Sequence, residues 1–161
     1  MKILKKTEIN WDSVKVAVIA AKWNSFITDL MSEGAYNALS AKGIPESNII
    51  KLECPGSYEL PLAAKMCFDN LDVDGIVAIG AVIRGGTPHF EYVCDAVNRG
   101  ITDLNLMQGK PVSFGVLTTD TVDQAAERAS LDKGNKGAEA AIALCEMIQL
   151  EQSLKDFARI F

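Results

Sequence analysis

A glycine-rich segment that contains the chain's single histidine holds the residues best suited to chemistry. Residues 84–91 read Arg-Gly-Gly-Thr-Pro-His-Phe-Glu and follow an apolar run at 75–82. A glycine pair before a helix offers free backbone N–H groups and the positive end of the helix dipole, which suit one phosphate group. A histidine side chain such as His89 can donate and accept protons near neutral pH. We therefore take Gly86 and Thr87 as candidates for phosphate binding and His89 as a candidate for proton transfer.

Nucleotide, metal and redox chemistry are not indicated. Residues 80–87 nearly fit the phosphate-binding pattern G-x-x-x-x-G-K-[ST], but Gly86 occupies the lysine position, and no G-x-G-x-x-G lies between a strand and a helix. The four cysteines are scattered, with no C-x-x-C pair and no metal-ligand spacing to His89. We expect no cofactor and no metal, and we interpret the cysteines as buried free thiols. They are Cys54, Cys67, Cys94 and Cys145.

Apolar runs alternate with helical patterns along the chain. The runs predict buried strands at 15–21, 48–53, 75–82 and 111–117. Helical spacing predicts helices between Asn24 and Gly43 and at about 58–70, 88–106, 121–128 and 136–150. This order predicts right-handed crossovers and a parallel sheet covered on both faces. The fold class is therefore α/β, a three-layer, flavodoxin-like α/β/α sandwich with a four-stranded parallel sheet.

The two ends of the chain fall outside this alternation. Residues 2–10 predict an extra strand that joins this sheet or a neighbouring subunit's sheet. Residues 151–161 continue as a tail with a weak apolar stripe. We predict one domain over 1–161, with 1–10 as an N-terminal arm and 151–161 as a C-terminal helical tail. A four-stranded sheet with such extensions favours a homo-oligomer.

Composition limits the classes of partner that this chain is expected to bind. The chain has 161 residues and a net charge of −5, and no basic stripe suggests nucleic-acid binding. No apolar run is long enough to cross a membrane, and residues 1–6 lack the features of a signal peptide. We therefore expect small-molecule ligands and a cytoplasmic protein, with an organellar location after processing as the alternative.

Ligands of open parallel sheets bind beyond the carboxyl ends of the strands, and several residues there have two interpretations. Trp23 either caps the sheet or stacks on a planar heterocycle. Glu59 either suits the start of a helix or accepts hydrogen bonds from a ligand. Taken one at a time, three further residues would be interpreted as core or solvated side chains. They are Phe114, Arg128 and Lys136.

Taken together, the strand-end segments resemble the lumazine synthase family over about residues 10–150. The matching motifs are Pro-Gly-Ser-Tyr-Glu-Leu-Pro at 55–61, Gly-Ala-Val-Ile-Arg-Gly-Gly-Thr-Pro-His-Phe-Glu-Tyr-Val at 80–93, Pro-Val-Ser-Phe-Gly-Val-Leu-Thr at 111–118 and Asn-Lys-Gly at 135–137. The resemblance implies condensation of 5-amino-6-(D-ribitylamino)uracil with 3,4-dihydroxy-2-butanone 4-phosphate. The implied products are 6,7-dimethyl-8-(D-ribityl)lumazine, phosphate and water, without metal or cofactor.

The resemblance also implies roles for individual residues. His89 matches the proton-transfer residue, Gly86 and Thr87 match the phosphate cradle, and Trp23 matches the ring that stacks on the pyrimidine. The remaining matches are contacts to the ring and ribityl chain, at Asn24, Ser57, Tyr58, Glu59 and Ile83. The adjacent subunit of a pentamer is implied to supply Phe114, Arg128, which binds phosphate, and Lys136.

Three features depart from the family pattern. Trp23 replaces the commoner phenylalanine, which suggests flavin binding by stacking. In the turn at 129–134, Asp132 replaces a lysine and Lys133 supplies one a position later, which puts a phosphate role for this turn in doubt. The tail beyond 150 exceeds the usual family length.

The sequence leaves more than one assembly and more than one function open. The uninserted turn at 129–134 favours a 60-subunit icosahedral shell, with a decamer or a lone pentamer as alternatives. Association with riboflavin synthase is a further expectation. The alternative functions are a non-catalytic flavin or phosphometabolite carrier and a shell scaffold without activity.

Overall fold

Strands and helices alternate through residues 6–159, the part of the chain that the computed structural model describes. The strands are β1 (Val16–Ala21), β2 (Ile49–Cys54), β3 (Gly75–Ile83) and β4 (Val112–Thr119). The helices are α1 (Ser25–Lys42), α2 (Leu60–Asn70), α3 (His89–Gln108), α4 (Val122–Ala129) and α5 (Lys136–Ala158). Short 3₁₀ turns lie at Trp11–Ser13, Glu46–Asn48 and Ser57–Glu59.

The four strands form one parallel sheet in the order β2-β1-β3-β4. The chain passes from β1 to β2 on one side and then crosses to β3 on the other side of β1. The switch point of this topology therefore lies between β1 and β3, where open α/β sheets bind ligands beyond the carboxyl ends of the strands.

Alternate side chains of β1 point to opposite faces of the sheet, and helices cover both faces. Val16 and Val18 pack in a core with α1, α4 and α5, whereas Ala17 and Ile19 pack in a second core with α2 and α3. Because both faces are buried, every position of β1 must be apolar. The predicted three-layer arrangement with a four-stranded parallel sheet is confirmed.

Helices α1 and α5 approach closely because glycines stand at their contact. A Cβ atom added to Gly137 would lie 1.9 Å from the carbonyl oxygen of Met31, and one added to Gly34 would lie 2.2 Å from Asn135 Oδ1. Neither position leaves space for a larger residue. This contact sets where the amino end of α5 lies relative to the sheet.

The two ends of the described chain meet on α5. This helix runs to Ala158 rather than ending near residue 150, because no glycine or proline interrupts it after Gly137. The Thr7 amide donates to Ser153 Oγ at 2.9 Å, and Gln149 Nε2 donates to the Thr7 carbonyl at 3.0 Å. Residues 6–10 form no strand, and the rest of the predicted N-terminal strand, 2–5, lies outside the described residues.

Candidate active site

Asn24 joins the loops that follow β1 and β3 at the switch point. Its backbone is left-handed, with φ 61°, a conformation that asparagine tolerates better than most residues. Asn24 directly precedes α1, but it makes no side-chain capping bond. Instead, its Nδ2 donates to the Ala81 carbonyl at 2.9 Å. The side chain therefore holds the two sides of the crevice together.

Trp23 presents an exposed indole ring beside this junction. Its side chain is 63% exposed, and a Cβ atom on Gly56 would lie 2.5 Å from the ring atom Cε3. The ring thus rests on the backbone of the loop after β2, where only glycine fits. This exposure argues against the sheet-capping interpretation and leaves a flat aromatic surface for a ligand.

The turn after β2 supplies a buried polar group without a partner. Ser57 is buried and packs against Gly80 of β3, whereas Tyr58 is 59% exposed. Glu59 Oε2 is buried and has no hydrogen-bond partner among the described residues. A buried carboxylate oxygen without a donor is costly, so this atom is suited to accept a hydrogen bond from a bound molecule.

A cleft of about 260 Å³ follows Ile83, the half-buried last residue of β3, and we call it the glycine-loop cleft. It is lined by Arg84, Gly85, Gly86, Thr87, Pro88 and Glu91. A Cβ atom on Gly85 or Gly86 would meet nothing within 4 Å. The glycine pair therefore leaves open space before α3. His89 is exposed at the first residue of α3, as its position in the sequence predicts.

Arg84 is already engaged within the subunit. Its Nε donates to Asp120 Oδ1 at 2.7 Å, its Nη1 donates to Glu91 Oε1, and its guanidinium lies 4.2 Å from the centroid of the Phe90 ring. The hydrogen bond from Arg84 lowers the pKa of the Glu91 carboxyl. The charge of Arg84 is therefore largely compensated, and this arginine is a poor choice for the ligand phosphate.

A second group of candidates lies across β4, in a cleft of about 420 Å³ that we call the β4 cleft. Its lining includes Phe114, Thr118, Arg128 and Lys136. Phe114 is 42% exposed rather than core, because β4 is an edge strand. Arg128 makes no ion pair or side-chain hydrogen bond within residues 6–159. It is thus a cation available to an anion.

The other cations near α4 and α5 have acidic partners. Lys136 Nζ lies 2.6 Å from Glu139 Oε2, and Lys133 Nζ lies 3.6 Å from Glu127 Oε1. Both lysines also line a polar cleft of about 490 Å³ that adjoins the β4 cleft. Lys133 therefore lies beside Arg128 despite its one-residue displacement from the family pattern.

The described subunit does not bring all candidates together. Residues that follow β1, β2 and β3 converge on the switch point, whereas Phe114, Arg128 and Lys136 line the β4 cleft. The glycine-loop cleft and the β4 cleft share no lining residue. Within one copy, the free cation and the glycine pair thus belong to separate clefts.

Asn135 belongs to one of the motifs that match the family, but the sequence assigned it no role of its own. It is buried between α4 and α5 and bonds to three backbone groups. A polar residue directly before a helix indicates a capping role, and its Oδ1 does accept from the Ala138 amide. Its bonds to carbonyls of α1 and α4 depend on tertiary contacts that have no local sequence signal.

The fold and the crevice define a doubly wound α/β protein with a candidate small-molecule site at its switch point. Within residues 6–159, no group of three or more His, Cys, Asp or Glu side chains could hold a metal ion, and none of the helices is long and apolar enough to cross a membrane. The family model described as 6,7-dimethyl-8-ribityllumazine synthase matches residues 13–152. The chain belongs to this family, and it is a transferase with lumazine synthase activity in riboflavin biosynthesis.

Proposed function

We propose that this chain condenses 5-amino-6-(D-ribitylamino)uracil with 3,4-dihydroxy-2-butanone 4-phosphate, giving 6,7-dimethyl-8-(D-ribityl)lumazine, phosphate and water. Family membership over residues 13–152 supports the reaction class. One observation of the structure carries the assignment to this site. Trp23, Glu59 and His89 follow three neighbouring strands, β1, β2 and β3, and so lie at the same end of the sheet.

The pyrimidine reactant lies on the side of β1 and β2 in this proposal. The exposed Trp23 ring stacks on the heterocycle, and Glu59 Oε2 accepts a hydrogen bond from a ligand N–H or hydroxyl group. Asn24, Ser57, Tyr58 and Ile83 surround the ring and the ribityl chain. The Asn24 side chain already donates to the Ala81 carbonyl, and Ser57 is buried against Gly80. Both side chains therefore shape the crevice more than they contact the ligand.

The phosphate ester lies on the side of α3. Gly86 and Thr87 supply N–H and hydroxyl groups at the amino end of this helix, where the helix dipole favours an anion. Arg128 supplies the compensating cation, since Arg84 is held by Asp120 and Glu91. A guanidinium binds phosphate oxygens through directional, charge-assisted hydrogen bonds.

The reaction needs positioning and proton transfer more than covalent catalysis. The pyrimidine's own amine attacks the ketone, and loss of water gives an imine, so no lysine Schiff base is required. His89 moves protons as phosphate is eliminated and as the ring closes with loss of a second water. Holding both reactive molecules in one crevice supplies much of the acceleration.

The complete site is shared between subunits of a homopentamer. Phe114, Arg128 and Lys136 act on the site of the adjacent copy, which accounts for the separation of the β4 cleft from the glycine-loop cleft. Exposed apolar side chains of α5, including Met147 and Leu154, lie beside an apolar cleft of about 580 Å³ that is suited to burial between copies. Twelve pentamers forming a shell, association with riboflavin synthase and a cytoplasmic location complete the proposal.

The test is to mix both reactants with the protein and to follow lumazine absorbance together with phosphate release. We expect both signals to rise in parallel and faster than in protein-free buffer, and omission of either reactant should abolish lumazine formation. Flavin binding without accelerated phosphate release would favour the carrier function. Rates equal to those in buffer would contradict the proposal.

A further inference from the structure

Asn135 connects three helices through one buried amide. The residue is 4% exposed and directly precedes α5. Its Nδ2 donates to the Leu30 carbonyl at 2.9 Å and to the Ala129 carbonyl at 2.6 Å, and its Oδ1 accepts from the Ala138 amide at 2.9 Å. The side chain therefore ties α1 to the last residue of α4 and to the first turn of α5.

The surroundings of this amide leave it a single orientation. A Cβ atom on Gly34 would lie 2.2 Å from Asn135 Oδ1, and one on Gly137 would lie 2.9 Å from the same atom. Both N–H donors are used. If the amide were flipped, its oxygen would face the carbonyls and its NH₂ group would face the Ala138 amide. Buried polar groups with every bond made are rigid and specify one arrangement.

The two cations of the β4 cleft, Arg128 and Lys136, lie close to Asn135 and its bonding partners in the chain. Arg128 directly precedes Ala129, whose carbonyl accepts from Asn135, and Lys136 directly follows Asn135. The turn between α4 and α5 is otherwise held by longer contacts, a 3.3 Å hydrogen bond from the Asp132 amide to Ser130 Oγ and the 3.6 Å ion pair of Lys133. Asn135 thus provides the short, buried bonds that fix the spacing of the two cations.

We propose that Asn135 is a positioning residue that sets Arg128 for binding the phosphate of the reactant, with Lys136 held beside it. This inference rests on the proposed function. Asn135 touches neither reactant and acts through the carbonyl of Ala129 and the amino end of α5. Its loss should weaken binding of the phosphate reactant and leave binding of the pyrimidine reactant unchanged.

Asn135→Asp and Asn135→Ser are the informative variants. Both keep an oxygen that can cap α5, and both remove the two N–H donors to Leu30 and Ala129. We expect the KM for the butanone phosphate to rise about tenfold or more, the loss expected for one weakened charge-assisted hydrogen bond. The KM for the pyrimidine should change less than about twofold, by the same relation. If the aspartate variant does not fold, the serine variant carries the test, because serine is an equally good N-cap.

Asn105→Asp is the matched control for lost stability. Asn105 Nδ2 also donates to two carbonyls, those of Ile101 and Val112, and its Oδ1 accepts from the Val112 amide. Asn105 is a residue of α3, and its bonds to Val112 lie at the amino end of β4. The cations lie toward the other end of this strand. We expect Asn105→Asp to lower thermal stability while leaving the ratio of the two KM values unchanged.

Arg128→Ala separates failure of this inference from failure of the proposed function. If Arg128→Ala raises the KM for the phosphate reactant and the Asn135 variants do not, the positioning role is wrong. The same conclusion follows if Asn105→Asp shifts the KM ratio as much as Asn135→Asp. If Arg128→Ala changes neither KM, the phosphate role of Arg128 fails and the inference fails with it.

Discussion

His89 and Arg128 share a property at the scale of single residues: each is exposed and neither contributes to the buried core. A role in packing therefore does not explain their presence. Both can be replaced without opening a cavity, so a change in kinetics reports on chemistry rather than on folding.

We expect His89→Ala to lower kcat by up to about 10²–10⁴-fold, the range typical of general acid–base groups. If positioning of the reactants supplies most of the acceleration, the decrease in kcat falls toward the lower end of this range. The reason is that both reactants are reactive enough to condense without strong acid–base catalysis. Steady-state kinetics near neutral pH measure it, and an unchanged melting temperature shows that the variant is folded. Unaltered kcat would rule out proton transfer by His89.

For Arg128→Ala we expect the KM of the phosphate reactant to rise about 10–100-fold, with kcat less affected, because a charge-assisted contact is lost. Arg99→Ala is a suitable control, since Arg99 is an exposed arginine of α3 that pairs with Asp95 at 2.6 Å. Equal KM values in the two variants would show that Arg128 does not bind phosphate.

Cys54 predicts a pH dependence of stability. Burial, and then the negative charge of Glu59, raise the pKa of this thiol from 9.0 to about 11. The unfolded thiol loses its proton at lower pH than the folded one, so the stabilisation is complete below pH 9 and is lost as pH rises toward 11. We expect the free energy of unfolding to fall more steeply from pH 9 to 11 in the parent than in Cys54→Ala. Denaturant titrations at several pH values measure this, and identical slopes would contradict it.

The contact between α1 and α5 matters most at the scale of elements, because it sets the position of the cations at the amino end of α5. Gly137→Ala should cost at least about 3 kcal/mol, at the upper end of overpacking effects, since the added Cβ would lie 1.9 Å from the Met31 carbonyl oxygen. Gly85→Ala, whose Cβ meets nothing within 4 Å, should stay within about 0.5 kcal/mol. Chemical denaturation measures both, and a mild effect at Gly137 would mean that the helices can move apart.

Local patterns predicted the strands and helices because the signals lie within each element. The apolar run at 16–21 and the helical spacing after Asn24 needed no knowledge of distant residues. Helix α5 continues past 150 into the stretch predicted as a helical tail, because no glycine or proline after residue 150 ends the helix there. The strand expected at 2–10 is not present over 6–10, where the chain bonds to α5 instead.

Only part of the candidate site could be predicted from the sequence. Placement at strand ends identified the glycine pair and His89, because the carboxyl ends of parallel strands converge. Phe114 and Arg128 were recognised only through the family resemblance, since a strand phenylalanine and a surface arginine carry no chemical signal of their own. The engagement of Arg84 by Asp120 depends on a contact between residues 36 positions apart.

The separation of the two clefts makes a prediction for the whole molecule, because a shared site can be rebuilt from two defective copies. If His89 and Arg128 act on the same site from adjacent subunits, co-assembly of His89→Ala with Arg128→Ala restores sites that contain both groups. Random mixing in a closed ring at equal amounts restores about one quarter of the sites.

Co-expression of the two variants with different tags, followed by sequential purification, gives the mixed assembly for assay. We expect activity well above that of either variant alone and close to one quarter of the parent. Activity equal to the average of the two variants would place both groups in one subunit, and sedimentation of the parent as a monomer would contradict the pentamer.

The hydrogen bond from the Thr7 amide to Ser153 Oγ couples two stretches that lie far apart in the sequence. Proteolytic removal of the last turns of α5, including Ser153, would leave the Thr7 amide without its acceptor and make the chain around Thr7 easier to digest. Trimming from the other direction would expose the Ser153 hydroxyl, which is buried in the intact protein. A protease that cuts at either stretch should therefore make the other easier to cut. A fusion partner that strains the chain at one of these stretches would likewise loosen the other.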